Sequence, residues 1–417
     1  MKFGKVGPAG LTRSIGPLGP VGKAMLVGAI AFGVATLFTA CSSTLTVGFL
    51  FVATNKQTPG QIEVYEVNSE SGGLRTIPTS PFPSGGRNPV AEATTPDFKT
   101  LYVVNEDDKN IVRFSIGTDG KLYPQSTVNT PGAFPMAVAV NSAQTFLYAV
   151  DTLQPVPGCS LTNTCPGDLA VFPINKDSSL GTLISNNTNY PTYWPLLLTP
   201  SDTKTVLTPT ALYVLPDGSS VYVAAYNATT NLGYIFAYST NSDGSLTPLN
   251  GNKPLNIGSQ PVALSSDSTG TYLYVVDKLA NTLTSYTTAG LNSGSTTTVA
   301  SVATGNRPSA LAVDGTSFVY VTNSTDSTVS GYSINGGSLT YISTSTSDTN
   351  PVAITVDPRK LGFLYTVNFL GSSLSGFKID PNAGTLINAQ RSPYLSSVQP
   401  TAIAGIPHSG TATAVTK

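Results

Sequence analysis

Leu101-Tyr102-Val103-Val104-Asn105 is a short apolar strand closed by a polar residue, and the chain carries seven versions of it. They read FLFVATN ending at Asn55, LYVVN at Asn105, LYAVD at Asp151, VYVAAYN at Asn227, LYVVD at Asp277, VYVTN at Asn323 and LYTVN at Asn368. Most intervals lie between 45 and 52 residues. A strand repeated at such a period is how a β-propeller is written in sequence. One interval, 74 residues from Tyr148 to Tyr222, holds two insertions, at 152–167 and 186–206.

Around each version a four-part unit can be read. A Pro-led strand comes first, the Leu-Tyr-Val strand second, a strand such as Asn110 to Ile116 third, and a weaker fourth strand follows a Gly turn. Four antiparallel strands make one blade. The Pro-led strands start at Pro89, Pro135, Pro209, Pro261, Pro308, Pro351 and Pro400, and the third residue of each is Ala. Proline at a strand start forfeits no ladder hydrogen bond, and alanine lets neighbouring blades approach. The first unit begins at its second strand, near Val47, and its missing first strand is supplied by Pro400 to Ala404. The expectation is an all-β, seven-bladed β-propeller of four-stranded blades. The ring closes by pairing the C-terminal strand with the first blade, which removes open sheet edges.

Lys2, Lys5, Arg13 and Lys23 precede an apolar run from Ala24 to Ala40, short for a membrane span. Leu37-Phe38-Thr39-Ala40-Cys41 resembles a bacterial lipoprotein signal in which cleavage leaves Cys41 lipidated. An uncleaved anchor and a plain secretory signal are the rivals, and all three export the propeller. Ser42 after the cysteine favours the outer membrane in a Gram-negative source. The expected organisation is therefore a signal peptide at 1–40, a linker at 41–46, one propeller at 47–406 and a flexible tail at 407–417.

A net charge of −1 with 10 % charged residues gives no surface for tracking phosphates, so nucleic acid is excluded as a partner. Membrane attachment through Cys41 is the one partner read directly. A monomer without cofactor or metal is expected. Cys159 and Cys165 lie in the first insertion, where an oxidising compartment lets them pair as a disulfide. Metal binding is the rival reading, but no His or further Cys stands nearby in the sequence to complete a site.

Ends of second strands and approaches to Pro-led strands share one face of a propeller. That face is expected to carry Asn55, Asn105, Glu106, Asp151, Asn227, Asp277, Asn323 and Asn368, with Arg87, Asn88, Gln260, Arg307, Asn350 and Gln399, and both insertions. Asn and Asp there either cap turns or form a binding ring. Trp194, in a Pro-rich stretch with Tyr190 and Tyr193, either covers the disc or stacks on a ligand. Glu92 occupies a place held in the other blades by Val138, Leu212, Leu264, Leu311, Ile354 or Ile403. An acid there is either partnered, with Arg87 as the nearest cation, or raised in pKa for a task.

LYVVNEDDKNIVRFSI with GKL following, Leu101 to Leu122, and LYVVDKLANTLTSY, Leu273 to Tyr286, resemble blades of the seven-bladed lactonase family, which includes the propeller-type 6-phosphogluconolactonases and carboxymuconate cyclases. The resemblance implies an active face with a Gly-Pro-Arg-His entry and a Glu directly after a second-strand Asn. Glu106 after Asn105 matches; Arg87 lies near the Arg, and Asn88 stands in place of the His. The sole histidine, His408, lies beyond the last Pro-led strand. Lactone hydrolysis needs a base and an oxyanion stabiliser, for which Glu106 or Glu92 and Arg87 or Arg307 are the candidates. No Ser-His-Asp set or metal cluster is legible. The favoured reading is an exported, lipid-anchored module that binds a glycan, small molecule or protein through its insertion-bearing face. A lactonase-like hydrolase with Glu106 as base is the alternative, and a purely structural envelope protein the third.

Overall fold

The computed structural model describes residues 46–55, 59–186, 190–202, 204–358, 362–397 and 399–408. The expected signal peptide, Cys41 and most of the expected tail lie outside these residues. Seven antiparallel sheets make up the described chain, with one short helix at Thr288–Asn292. Blade 1 consists of Pro89–Thr94, Thr100–Asn105, Asn110–Ile116 and Leu122–Asn129 in that order from the inside. Blades 2 to 6 begin on Ala133–Val140, Thr208–Val214, Pro261–Ser266, Pro308–Asp314 and Pro351–Val356.

The closing blade takes its innermost strand, Pro400–Pro407, from the far end of the chain and pairs it with Thr46–Thr54. Gln61–Asn68 follows, and Leu74–Thr76 and Phe82–Pro83 form its outer edge. Each end of the propeller thus reaches one residue past the boundary read from sequence. Pro407 belongs to the last strand, and the His408 ring packs 5.5 Å from that of Phe49.

The second strands carry the core. Tyr102, Tyr148, Tyr222, Tyr274, Tyr320 and Tyr365 are all fully buried, and four of them reach into the next blade. Their hydroxyls donate to Ser178 O, Asn292 Oδ1, Gly384 O and Gly72 O. A buried tyrosine is thereby both an apolar filler and a polar tie. Glycine in the outer hairpins completes the seat: Gly384 has φ +68°, and a Cβ there would lie 2.4 Å from the ring of Phe318 in the preceding blade.

Every inner strand carries a β-bulge one residue after its proline. In blade 1, Pro89 faces Asn105 and Ala91 faces Val104, leaving Val90 unpaired. The shift recurs in the other six blades. One second strand runs on past this register to end at Asn227, and another stops a residue short of Asn55. Thr54 and Ala225 stand at the place of Asn105, so Asn55 and Asn227 fall one and two residues beyond it.

Candidate active site at the central mouth

The residue before each inner-strand proline sits at the rim of the central channel. Asn88, Phe134, Arg307, Asn350 and Gln399 all adopt left-handed backbone, with φ between +51° and +61°. Non-glycine residues rarely do so, and their recurrence marks a built feature of the rim. In five blades the carbonyl at this place accepts the N–H of the residue just past the second strand. The pairs are Glu106 to Asn88, Lys278 to Gln260, Ser324 to Arg307, Phe369 to Asn350 and Asn55 to Gln399. Each clamp places two side chains together at the mouth, one from each strand.

In blade 1 that clamp joins Asn88 and Glu106. Asn88 Nδ2 donates to Glu106 Oε2 at 2.6 Å, and Asn88 Oδ1 accepts from Asn55 Nδ2 at 3.3 Å. Glu106 is half-buried, and burial first, then the adjacent Asp107 charge, push its pKa upward. Arg87 is turned to another use. Its guanidinium pairs with Asp108 at 2.6 Å and donates to Asp107 O, so it clamps the exposed turn after Glu106.

Lys278 occupies in blade 4 the place of Glu106 in blade 1, and Arg307 enters blade 5. Asn281 stitches the two blades together by accepting the Arg307 N–H at 2.8 Å and the Thr304 N–H at 2.9 Å. The Lys278 pKa is lowered, by burial and then by the Arg307 charge. Among the described residues neither cation has a salt bridge. In a ring of seven, blades 4 and 5 lie across the channel from blade 1. Glu106 on one side, and Lys278 with Arg307 on the other, thus belong to blades that face each other across the ring. Sequence reasoning missed Lys278, although its position after Asp277 repeats that of Glu106 after Asn105.

The other candidates are used by the fold or lie away from this centre. Asn105, Asp151, Asn323 and Asn368 are fully buried at 0 % exposure, and Asn227 and Asp277 nearly so. Asn227 Oδ1 accepts from Thr229 and Thr230, and Asp277 Oδ1 from Leu279 and Ala280, the turn-capping role of these side chains. Gln260, Asn350 and Gln399 remain half-exposed on the rim.

Trp194 belongs to the fourth strand of blade 2, Trp194–Pro195, which pairs with Asp168 and Leu169 despite its prolines. It is 2 % exposed and donates Nε1–H to Leu246 O, so it is packed between blades 2 and 3. Cys159 and Cys165 form the disulfide. Glu92 does not meet Arg87: its Oε1 accepts the Ala53 N–H at 2.8 Å, and among the described residues its Oε2 has no partner. Burial pushes its pKa up to about 8. Among the described residues no group of three or more His, Cys, Asp or Glu is placed to hold a metal.

Comparison with known proteins agrees with this architecture. The family described as lactonase, seven-bladed beta-propeller, matches residues 49–190 and 277–401. No curated protein matches the sequence. The periplasmic gluconolactonase PpgL of Pseudomonas aeruginosa is similar in structure, with a TM-score of 0.68 over 87 % of this chain and 99 % of that one at 17 % identity. A Bacteroides fragilis protein provisionally assigned as a 6-phosphogluconolactonase has a TM-score of 0.69, covering 88 % and 99 % of the two chains at 17 % identity. A Lactobacillus plantarum protein is similar at 20 % identity, with a TM-score of 0.68 over 87 % and 99 %. At such identities the likeness carries the fold.

Proposed function

The chain belongs to the seven-bladed β-propeller lactonase family, and from that premise we propose that it opens a sugar or carboxylated lactone by hydrolysis at the central mouth. The observation that carries this reading is the half-buried Glu106, anchored through Asn88 on the wall opposite Lys278 and Arg307. A raised carboxyl pKa brings Glu106 closer to the optimum for a general base working near neutrality.

In the reaction we infer, Glu106 takes a proton from water as the water oxygen attacks the lactone carbonyl. Negative charge develops on the carbonyl oxygen, and Arg307 with Lys278 is the cationic wall that stabilises it. Collapse of the intermediate breaks the ring C–O bond, the proton passes to the leaving alkoxide, and a hydroxy acid results. Asn88, in the place of the family histidine, orients Glu106 by its amide and cannot itself relay the proton. Arg87 is assigned to holding the turn after Glu106.

Recognition of a glycan or protein through the insertion-bearing face has less support, because Trp194, its aromatic anchor, is inside the fold. Export and attachment through Cys41 remain part of the proposal and rest on the N-terminal sequence. The test is an acid-release assay of the residue 42–417 fragment on neutral sugar lactones and carboxylated lactones, with Glu106→Gln as control. Turnover that falls in the variant supports the reading; activity equal in both chains, or none in either, overturns it.

A further inference from the structure

Blade 2 contains a pair of carboxyls that no other blade has. Asp151 lies two residues before the end of its second strand, Phe146–Leu153, and Asp168 begins the third, directly opposite in the ladder, and both are 0 % exposed. In blades 1, 5 and 6 the same two places hold Asn105 with Asn110, Asn323 with Thr328 and Asn368 with Ser373. In each the asparagine amide donates to its partner, at 2.9, 3.0 and 3.0 Å. Blade 2 sets two acceptors face to face instead.

One oxygen of the four is supplied: Asp151 Oδ2 accepts the Gly132 N–H at 2.8 Å. Among the described residues Asp151 Oδ1 and both oxygens of Asp168 have no hydrogen-bond partner. The surroundings are tight, since a Cβ on Gly132 would lie 2.6 Å from Asp168 Oδ2 and 2.4 Å from Leu153 O. Among the described residues, the titratable groups facing the pair are Lys109, from the turn of blade 1, beside Asp151, and Tyr193, from the outer segment of blade 2, beside Asp168. Lys109 is exposed, and the Thr130 hydroxyl adds a neutral neighbour to Asp151. Two buried like charges left this way cost far more than one shared proton.

These two residues also flank the first insertion, which leaves the sheet after Leu153, carries the Cys159–Cys165 disulfide and returns at Gly167. Gln154 N–H to Pro166 O, at 2.9 Å, continues the ladder into its base. We propose that Asp151 and Asp168 share a proton and act as a pH-sensitive latch at the base of the disulfide-bridged loop 152–167. With the proton in place one carboxyl donates to the other, as the asparagines do elsewhere. Without it the facing carboxylates repel, and the loop base loosens from blade 2.

Burial raises both groups, Asp151 to about 7 and Asp168 well above the usual carboxylate range. The pair titrates as a unit and holds its shared proton to higher pH than an ordinary carboxylate would. A raised folded pKa contributes stability that is fully present below the unfolded value, near 4, and is lost as pH rises through the folded values.

The test compares wild type with Asp168→Asn, whose amide supplies the missing donor at every pH. Both chains keep Glu92, so its own titration cancels. We expect the wild-type Tm to fall from pH 5 to pH 9 and the fall to shrink by at least half in Asp168→Asn. Hydrogen exchange in 152–167, corrected for its intrinsic pH dependence, should rise with pH in wild type and stay level in the variant. Equal Tm slopes in the two chains, or wild-type loop exchange that does not change with pH, overturn the latch. Should Asp168→Asn fail to fold, Asp151→Asn gives the same comparison with the amide donating in the other direction.

Discussion

Thr401 donates its hydroxyl to the Pro89 carbonyl at 2.6 Å, although 312 residues of chain separate them. Thr401 is the bulged residue of the closing inner strand, and its hydroxyl also lies 3.1 Å from Ala53 O. The bulged residues of blades 3 and 5, Thr210 and Ser309, make the corresponding bond to Pro261 O and Pro351 O. The bulge thus turns a side chain out of its own ladder and onto the backbone of the next blade.

Thr401→Val keeps the shape and removes the donor, leaving the Pro89 carbonyl without this partner. Stability should fall by about 1–2 kcal/mol, measured by urea unfolding. Thr210→Val and Ser309→Ala should each cost a similar amount, since the same bond is lost at each junction.

Glu92→Gln is expected to stabilise the protein in alkaline solution. The folded pKa of about 8 lies above the unfolded one, so the stability associated with the neutral acid is present in acid and lost as pH rises through about 8. An amide keeps an acceptor for the Ala53 N–H and cannot ionise. At pH 9 the variant should exceed wild type by about 1–3 kcal/mol, while at pH 5 the two should differ little.

Catalysis should depend on pH through Glu106. Its raised pKa predicts a kcat/KM that climbs with pH along a limb above the ordinary glutamate range. Asp107→Asn removes the smaller of the two causes and should move that limb to lower pH without abolishing turnover.

The cations separate by role. Lys278→Met and Arg307→Met should each lower kcat/KM by roughly 10- to 100-fold, the scale of losing a charged contact to the developing oxyanion. Arg87→Met should leave turnover near wild type, because its partners are Asp108 and the Asp107 carbonyl on an exposed turn.

Reducing the disulfide should act locally. Cys159 and Cys165 are six residues apart, and so small a closed loop contributes about 2 kcal/mol in the chain-entropy account. Paired Cys159→Ser and Cys165→Ser substitutions should raise hydrogen exchange within 152–167 and leave the core second strands protected.

The blades are legible in the sequence because each repeats the same local demands: a buried Tyr-Val strand, a proline at the entry and an alanine where blades crowd. The closing strand is legible because the first unit lacks an inner strand and the last residues supply one. What lies between strands is harder to read. Trp194 sits among prolines that argue against a strand, yet two residues suffice to pair with Asp168 and Leu169. Asp151 and Asp168 flank an insertion that hides their cross-strand register. Asn55 falls one residue beyond its strand, because strand ends drift where nothing apolar pins them. Of the mouth, Glu106 and Arg307 are legible by position, whereas Arg87 is drawn away by an aspartate that any sequence reading would count as solvated turn.

Closing the ring with Pro400–Pro407 gives synthesis a definite order. The ribosome delivers Thr46–Thr54 and Gln61–Asn68 long before their inner neighbour, so these strands wait with one ladder edge bare until Pro400–Pro407 emerges. A chain cut short anywhere before residue 400 keeps that edge open and is primed to pair with a second copy. The eight residues of Pro400–Pro407 thus decide whether the strands made first are left with a bare edge.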